Sequence, residues 1–187
     1  MHISYLSSHP SEDCDMPAND DDLRRRILNP YGDKFPDDGT EKEIKLEALG
    51  KKRAGPNDDR HVCLYWTNGV VGEGDEEAQC AQVLHLTGGP GAYAFYTPQT
   101  RLQDPTTHAQ DTSYVLGRYT RAQREQILEL ASRVSYDRQS WVNGCRVWMR
   151  DLLEAMVDAG LLQKSIFKYL DSEIPLKKRI TESEGPV

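Results

Sequence analysis

The sequence predicts an α+β fold in which an antiparallel sheet of four or five strands packs against two main helices. Two observations predict it. Runs of β-forming residues fall before residue 118 and are separated by Gly, Asn and Asp, whereas the clear helical periodicities all fall after residue 120. Strands gathered ahead of helices, instead of alternating with them, favour an antiparallel sheet covered by helices. A length of 187 residues, 37% of them hydrophobic, supports one core of ordinary size.

Residues 1–10 put Ile3 and Tyr5 on alternate positions and close on Pro10, the pattern of a short first strand. Residues 11–59 are acidic and are broken by Asn29-Pro30, Phe35-Pro36, Asp38-Gly39 and Gly55-Pro56. They read as an insertion or lid holding two helical turns, at 21–28 and at 41–49, the second carrying Ile44, Leu46 and Leu49.

Regular structure resumes at residue 60, and 60–170 reads as a catalytic-type core. Strands are expected at 61–67 and 82–87, joined by a long hairpin loop through Asn68-Gly69 and the acidic run 73–77. A third strand is expected at 92–97 and a fourth at 113–117. Gly88-Gly89-Pro90-Gly91 reads as a tight turn, because it leads into a strand and lacks the Lys-Ser/Thr of a phosphate-binding loop.

Thr120 and Gln123 form a capping-box pattern ahead of Ile127, Leu128, Ala131 and Val134, which predicts a helix over 121–133. Cys145, Trp148, Met149, Leu152, Leu153, Met156 and Val157 fall on one face of a second main helix, with Asn143 as its N-cap and Gly160 as its stop. A short helix over 162–170 precedes a charged tail, 171–187, expected to fray.

Composition excludes several functions. A net charge of -7 and two short basic clusters, Arg24-Arg25-Arg26 and Lys51-Lys52-Arg53, do not supply the basic face a nucleic acid requires. No stretch approaches the ~18 consecutive apolar residues of a membrane span, nor does residue 1 open an apolar leader, so a soluble cytoplasmic protein is expected. Cys14, Cys63, Cys80 and Cys145 show no paired spacing, which indicates free thiols and neither a zinc motif nor a disulfide framework; no cofactor is expected.

The chemistry-bearing residues are His61 and His85 on successive strands and Cys145 at the start of a helix. A thiol attacks as thiolate, and an imidazole and a helix N-terminus are two means of stabilising one. One histidine would take the thiol proton and the other would hold its far nitrogen and fix the tautomer. Each residue also has a plainer reading. Cys145 lies on an apolar stripe and packs as core, His61 begins a strand, and His85 is a satisfied core histidine. A metal site from His61, His85 and a cysteine is a third reading. His108, on a polar loop with Asp104 and Asp111, is a spare base, and Trp66, Trp141 and Trp148 read as core or pocket wall.

His61-x-x-Leu64-Tyr65, the Asn68-Gly69 turn, the strand ending in His85-Leu86 and the Asn143-Gly144-Cys145 helix start resemble the lecithin:retinol acyltransferase-like group, a circularly permuted branch of the papain-like fold. The Gly144-Cys145-Arg146-x-Trp148 start is also similar to that of a set of fungal proteins. The likeness spans roughly residues 61–160 and departs from the group at Gly144, at Val62 and in the longer hairpin. It implies a permuted papain-like fold with Cys145 as nucleophile, His61 as general base and His85 as the histidine that orients it. The implied activity is acyl transfer or hydrolysis through an acyl-enzyme, on an ester, thioester or amide of a small-molecule or peptidyl substrate. The alternative is a binding or structural protein on a degenerate scaffold of the same kind.

Overall fold

Burial with a period of two governs residues 42–48. Lys42, Ile44, Leu46 and Ala48 are all buried in β1 (Lys42–Ala48), where a helical turn was expected. The computed structural model describes residues 29–53, 58–72, 77–103 and 110–182. The expected strand at 1–10, the helical turn at 21–28, Cys14 and His108 lie outside them. β1 is an inner strand, paired antiparallel with β2 (Val62–Val71) on one side and β7 (Thr112–Tyr119) on the other. Ladder pairing on both edges outweighs the local preference of a Lys- and Glu-rich stretch for helix. Part of residues 11–59 is therefore sheet.

With β3 (Ala78–Leu84) and β6 (Thr100–Gln103), the sheet has five strands in the order β6-β3-β2-β1-β7, all neighbours antiparallel. β2 runs past the expected turn: Asn68-Gly69 lies inside it, at an irregularity between Thr67 and Gly69. The expected third strand shrinks to β5 (Ala94–Phe95), which pairs with β4 (Leu86–Thr87) as a separate ribbon. The short edge strand β6 carried no periodic signal.

Side chains alternate across the sheet. Val62, Leu64 and Trp66 join Ile44 and Leu46 in the main core with the helices, while Cys63 and Tyr65 join Ala81 and Val83 in a small second cluster. Three helices lie among the described residues. α1 (Arg121–Arg133) keeps its expected bounds, with Thr120 and Gln123 closing the capping box. Arg124, fully buried on α1, gives its guanidinium to Asp37 at 2.8 and 2.9 Å and to the carbonyls of Asp38, Thr40 and Tyr119, which ties the chain before β1 to the helix.

α2 (Cys145–Asp158) buries Trp148, Met149, Leu152, Leu153 and Met156 against the sheet, and α3 (Lys164–Glu173) is joined to it by Arg150, which reaches Asp171 at 2.9 Å. Trp66 and Trp148 are core, as expected. The segment after α3 is docked where fraying was expected: Ile174 is buried and Asn143 holds Ile180. Among the described residues, no helix is long and apolar enough to cross a membrane.

Candidate functional site

The two histidines meet because of strand register. His61 directly precedes β2, and its carbonyl accepts from the Leu49 N–H at 2.9 Å, extending the β1–β2 ladder by one rung. His85 fills the single-residue gap between β3 and β4. Leu64 faces Leu84 across the antiparallel pair, so the start of β2 and the end of β3 share one end of the sheet. There His61 Nε2 and His85 Nδ1 lie 2.6 Å apart, with the rings edge to face at 76°.

α2 starts at the same end. The backbone N–H groups of Val62, the residue that follows His61, and of Cys145 and Arg146 in the helix's own first turn favour the ionised form of the Cys145 sulfur. Cys145 and His61 line one cleft of about 740 Å³, whose walls include Gly88, Tyr93, Trp141 and Arg146. No hydrogen bond joins the Cys145 sulfur to an imidazole among the described residues: His61 spends its Nε2 on His85.

Burial sets the protonation states. It lowers the His61 pKa, with help from the charge of Arg101, and it pushes His85 down to about 4, with His61 and Arg101 adding to the effect. Both rings are neutral at pH 7. Burial also raises the Cys145 thiol, against the smaller opposing pull of the Val62 N–H and of Arg146. The expectation that the helix start would yield a ready thiolate is therefore reversed, because withdrawal from water outweighs the first-turn donors. Cys63 is fully buried and pushed up to about 12, and burial raises Cys80 as well.

A buried glutamine stands behind the pair. His85 Nε2 and Gln99 Oε1 are both buried and neither has a partner within 3.5 Å. Gln99 nonetheless faces His85 as the acceptor on its far side, a placement fixed by the Val83 N–H donating to the Gln99 carbonyl at 2.8 Å. An acceptor there favours the His85 tautomer protonated on Nε2, leaving Nδ1 to accept from His61 Nε2–H. His61 Nδ1 then carries the free lone pair.

Two other expectations change. Asn143 does not cap α2; the cap position is Gly144, without a side-chain hydrogen bond. Asn143 instead donates to the Ile180 carbonyl at 2.8 Å and to Glu182 at 2.7 Å. Gly144 has a steric reason to stand between Asn143 and Cys145, since a Cβ there would lie 2.3 Å from the Tyr93 hydroxyl. The glycine run is the expected turn, with Gly88 at φ +83°, where a side chain would also strike the Ala92 carbonyl.

Sequence reading missed Tyr93, Gln99, Arg101 and the segment carrying Lys177 and Lys178 as parts of this region. Trp141 is 69% exposed on the cleft wall. No three His, Cys, Asp or Glu side chains among the described residues form a metal-ligand group. Metal-to-imidazole bonds are about 2.0 Å, so ring nitrogens 2.6 Å apart leave no room for an ion between them. Compared with protein-family models, with curated proteins and with solved structures, the chain matches none.

Proposed function

We propose that the protein is a cysteine-nucleophile acyltransferase or hydrolase on a permuted papain-like scaffold of the lecithin:retinol acyltransferase-like kind. The observation that carries this reading is the 2.6 Å contact of His61 Nε2 with His85 Nδ1 behind a cleft that His61 shares with Cys145. A core histidine pair needs no open cleft, and a packing cysteine needs no cleft shared with an imidazole.

In this reading the resting pair is neutral. The Cys145 thiol gives its proton to His61 Nδ1 as the sulfur attacks the carbonyl carbon of an ester, thioester or amide. Donors of the α2 first turn receive the oxyanion, a role whose removal commonly costs ~3 kcal/mol per donor. Collapse expels the leaving alcohol, thiol or amine, which takes the proton from His61 and leaves a Cys145 thioester. Water or an amine, deprotonated by His61, then attacks that thioester and releases an acid or an amide with the thiol restored. His85 does not touch substrate; it holds Nε2–H of His61 and so keeps Nδ1 basic.

The test compares turnover of an activated thioester by the parent protein with that of Cys145→Ser, His85→Asn and His85→Ala. Loss in Cys145→Ser with unchanged folding is expected. His85→Asn retains an acceptor for His61 Nε2–H and should keep more kcat than His85→Ala, by roughly tenfold. Equal losses in the two His85 variants sink the orienting role, and full turnover in Cys145→Ser sinks the nucleophile. Loss of stability in Cys145→Ser, with no turnover in the parent, favours the non-catalytic scaffold.

A further inference from the structure

We infer that the substrate of this cleft carries a negatively charged group, seated by Arg146, Lys177 and Lys178. The inference rests on Cys145 being the nucleophile, and it names what is presented to it. In a chain of net charge -7, the cleft is a local inversion: among the described residues it is lined by three cations and by one acid, Asp59. That acid is paired with Arg53 at 2.8 Å.

Among the described residues none of the three cations forms an ion pair, although the charge of Arg146 also acts on the Asp58 carboxylate. Arg146 donates to the main-chain carbonyl of Asp58, a neutral acceptor. The Asp58 carboxylate is held by Arg60 through bonds of 2.8, 2.9 and 3.1 Å. Neither Lys177 nor Lys178 has an ion-pair partner among the described residues. Elsewhere on the molecule exposed cations are commonly matched, as Arg121 is by Glu125 and Arg133 by Glu129.

The backbone that follows the lysines is also held in place. Asn143, two residues before Cys145, accepts from the Ile180 N–H at 3.0 Å and donates to the Ile180 carbonyl and to Glu182. Ser140 donates to Glu182 at 2.7 Å. The segment carrying Lys177 and Lys178 is thus fastened to the turn that delivers the nucleophile. A substrate whose acyl carbon reaches Cys145 meets positive charge from the first turn of α2 and from the facing segment. A cleft lined by one sign of charge concentrates ligands of the other sign by tenfold or more at low salt.

The experiment uses two alkylating probes of similar size, iodoacetate and iodoacetamide, on the whole folded protein, with modification of Cys145 followed by peptide mass. The readout is the ratio of the two rate constants, compared with the same ratio for N-acetylcysteine. At low salt the protein should favour iodoacetate about tenfold more than the free thiol does, and about 0.5 M salt should erase most of that preference. Lys177→Gln/Lys178→Gln should move the ratio most of the way to the free-thiol value. Protection by inorganic phosphate, against protection by succinate, tells a phosphate from a carboxylate. A ratio equal to that of the free thiol, or one indifferent to both salt and the lysine substitutions, overturns the anionic substrate while leaving Cys145 a nucleophile. Failure of both probes to modify Cys145 in the folded protein overturns the nucleophile itself and this inference with it.

Discussion

Two thiols lie near the start of β2, and their surroundings differ in a way that separates an inert cysteine from a usable one. Cys63 lies within the strand, fully buried, with its sulfur 3.4 Å from Arg101 Nη2 and its thiol directed at Glu47 Oε2 at 3.8 Å. Cys145 lies beyond the strand's start, half-buried, with its sulfur beneath the Val62 N–H and a cleft in front of it. Burial raises both pKa values, so neither is a thiolate at neutral pH. Charge state therefore does not distinguish them. What does is an accessible carbonyl-sized space and a neutral base: Cys145 shares its cleft with His61, whereas the carboxylate beside Cys63 is already bound to Arg101 at 2.8 Å.

The sharpest way to break this comparison is alkylation of the folded protein by iodoacetamide across pH. Cys145 should be modified and Cys63 should stay unmodified until the chain unfolds, a contrast of at least several hundredfold. The Cys145 profile should rise above the ordinary thiol range, in keeping with its raised pKa. A profile with its midpoint well below about 8.5 would mean that the first-turn donors defeat burial after all. Comparable modification of Cys63 would remove the distinction altogether.

Much of this arrangement was legible from local pattern. The α1 bounds follow from Thr120 and Gln123, and the α2 stripe follows from the spacing of Trp148, Leu152 and Met156, because caps and amphipathic faces are short-range devices. His61 and His85 were read as members of neighbouring strands and instead adjoin them, one just before β2 and one just after β3, and their 2.6 Å contact depends on the Leu64–Leu84 register. What failed was long-range or electrostatic. β1 is specified by partners at residues 62–65 and 112–119, which a Lys-Glu alternation does not announce. Asn143 has the composition of a cap, but its side chain is claimed by Ile180. The direction of the Cys145 shift depends on how much water the fold leaves at the sulfur, and a helix start alone does not encode that.

A second measurement sharpens the comparison through the histidine side of the cleft. His85 has a folded pKa of about 4 against an unfolded value near 6.5. Above 6.5 neither state binds the proton, and the fold is unpenalised. As pH falls, the unfolded chain takes up a proton that buried His85 refuses, so stability is lost between about 6.5 and 4. The loss should approach roughly 3 kcal/mol at the lower end. His85→Asn removes that titration and should flatten the stability profile over the same window, as read by urea midpoints at successive pH values. Parallel profiles for parent and variant would show that His85 accepts its proton freely, and the buried neutral pair would have to be abandoned.

The smallest expected effect couples the two thiol regions directly, because Arg101 faces both. It pairs with Glu47 beside Cys63, and its charge also lowers His61 and His85. Removing Arg101 alone would take from Glu47, a carboxylate 3% exposed, its ion pair at 2.8 Å, a change that typically costs 3–5 kcal/mol and would obscure any titration. The double substitution Glu47→Gln/Arg101→Gln takes both charges away together. It should leave the alkylation plateau of Cys145 unchanged and move the His61 titration upward, because one of the two causes that lower it is gone while burial remains. Proton NMR of the imidazole C–H resonances reads that shift without turnover. A downward movement would mean that Arg101 acts on His61 by position and not by charge, and an altered plateau would mean that the far face of the sheet contributes to nucleophile access, which the separation of the two thiols by β2 denies.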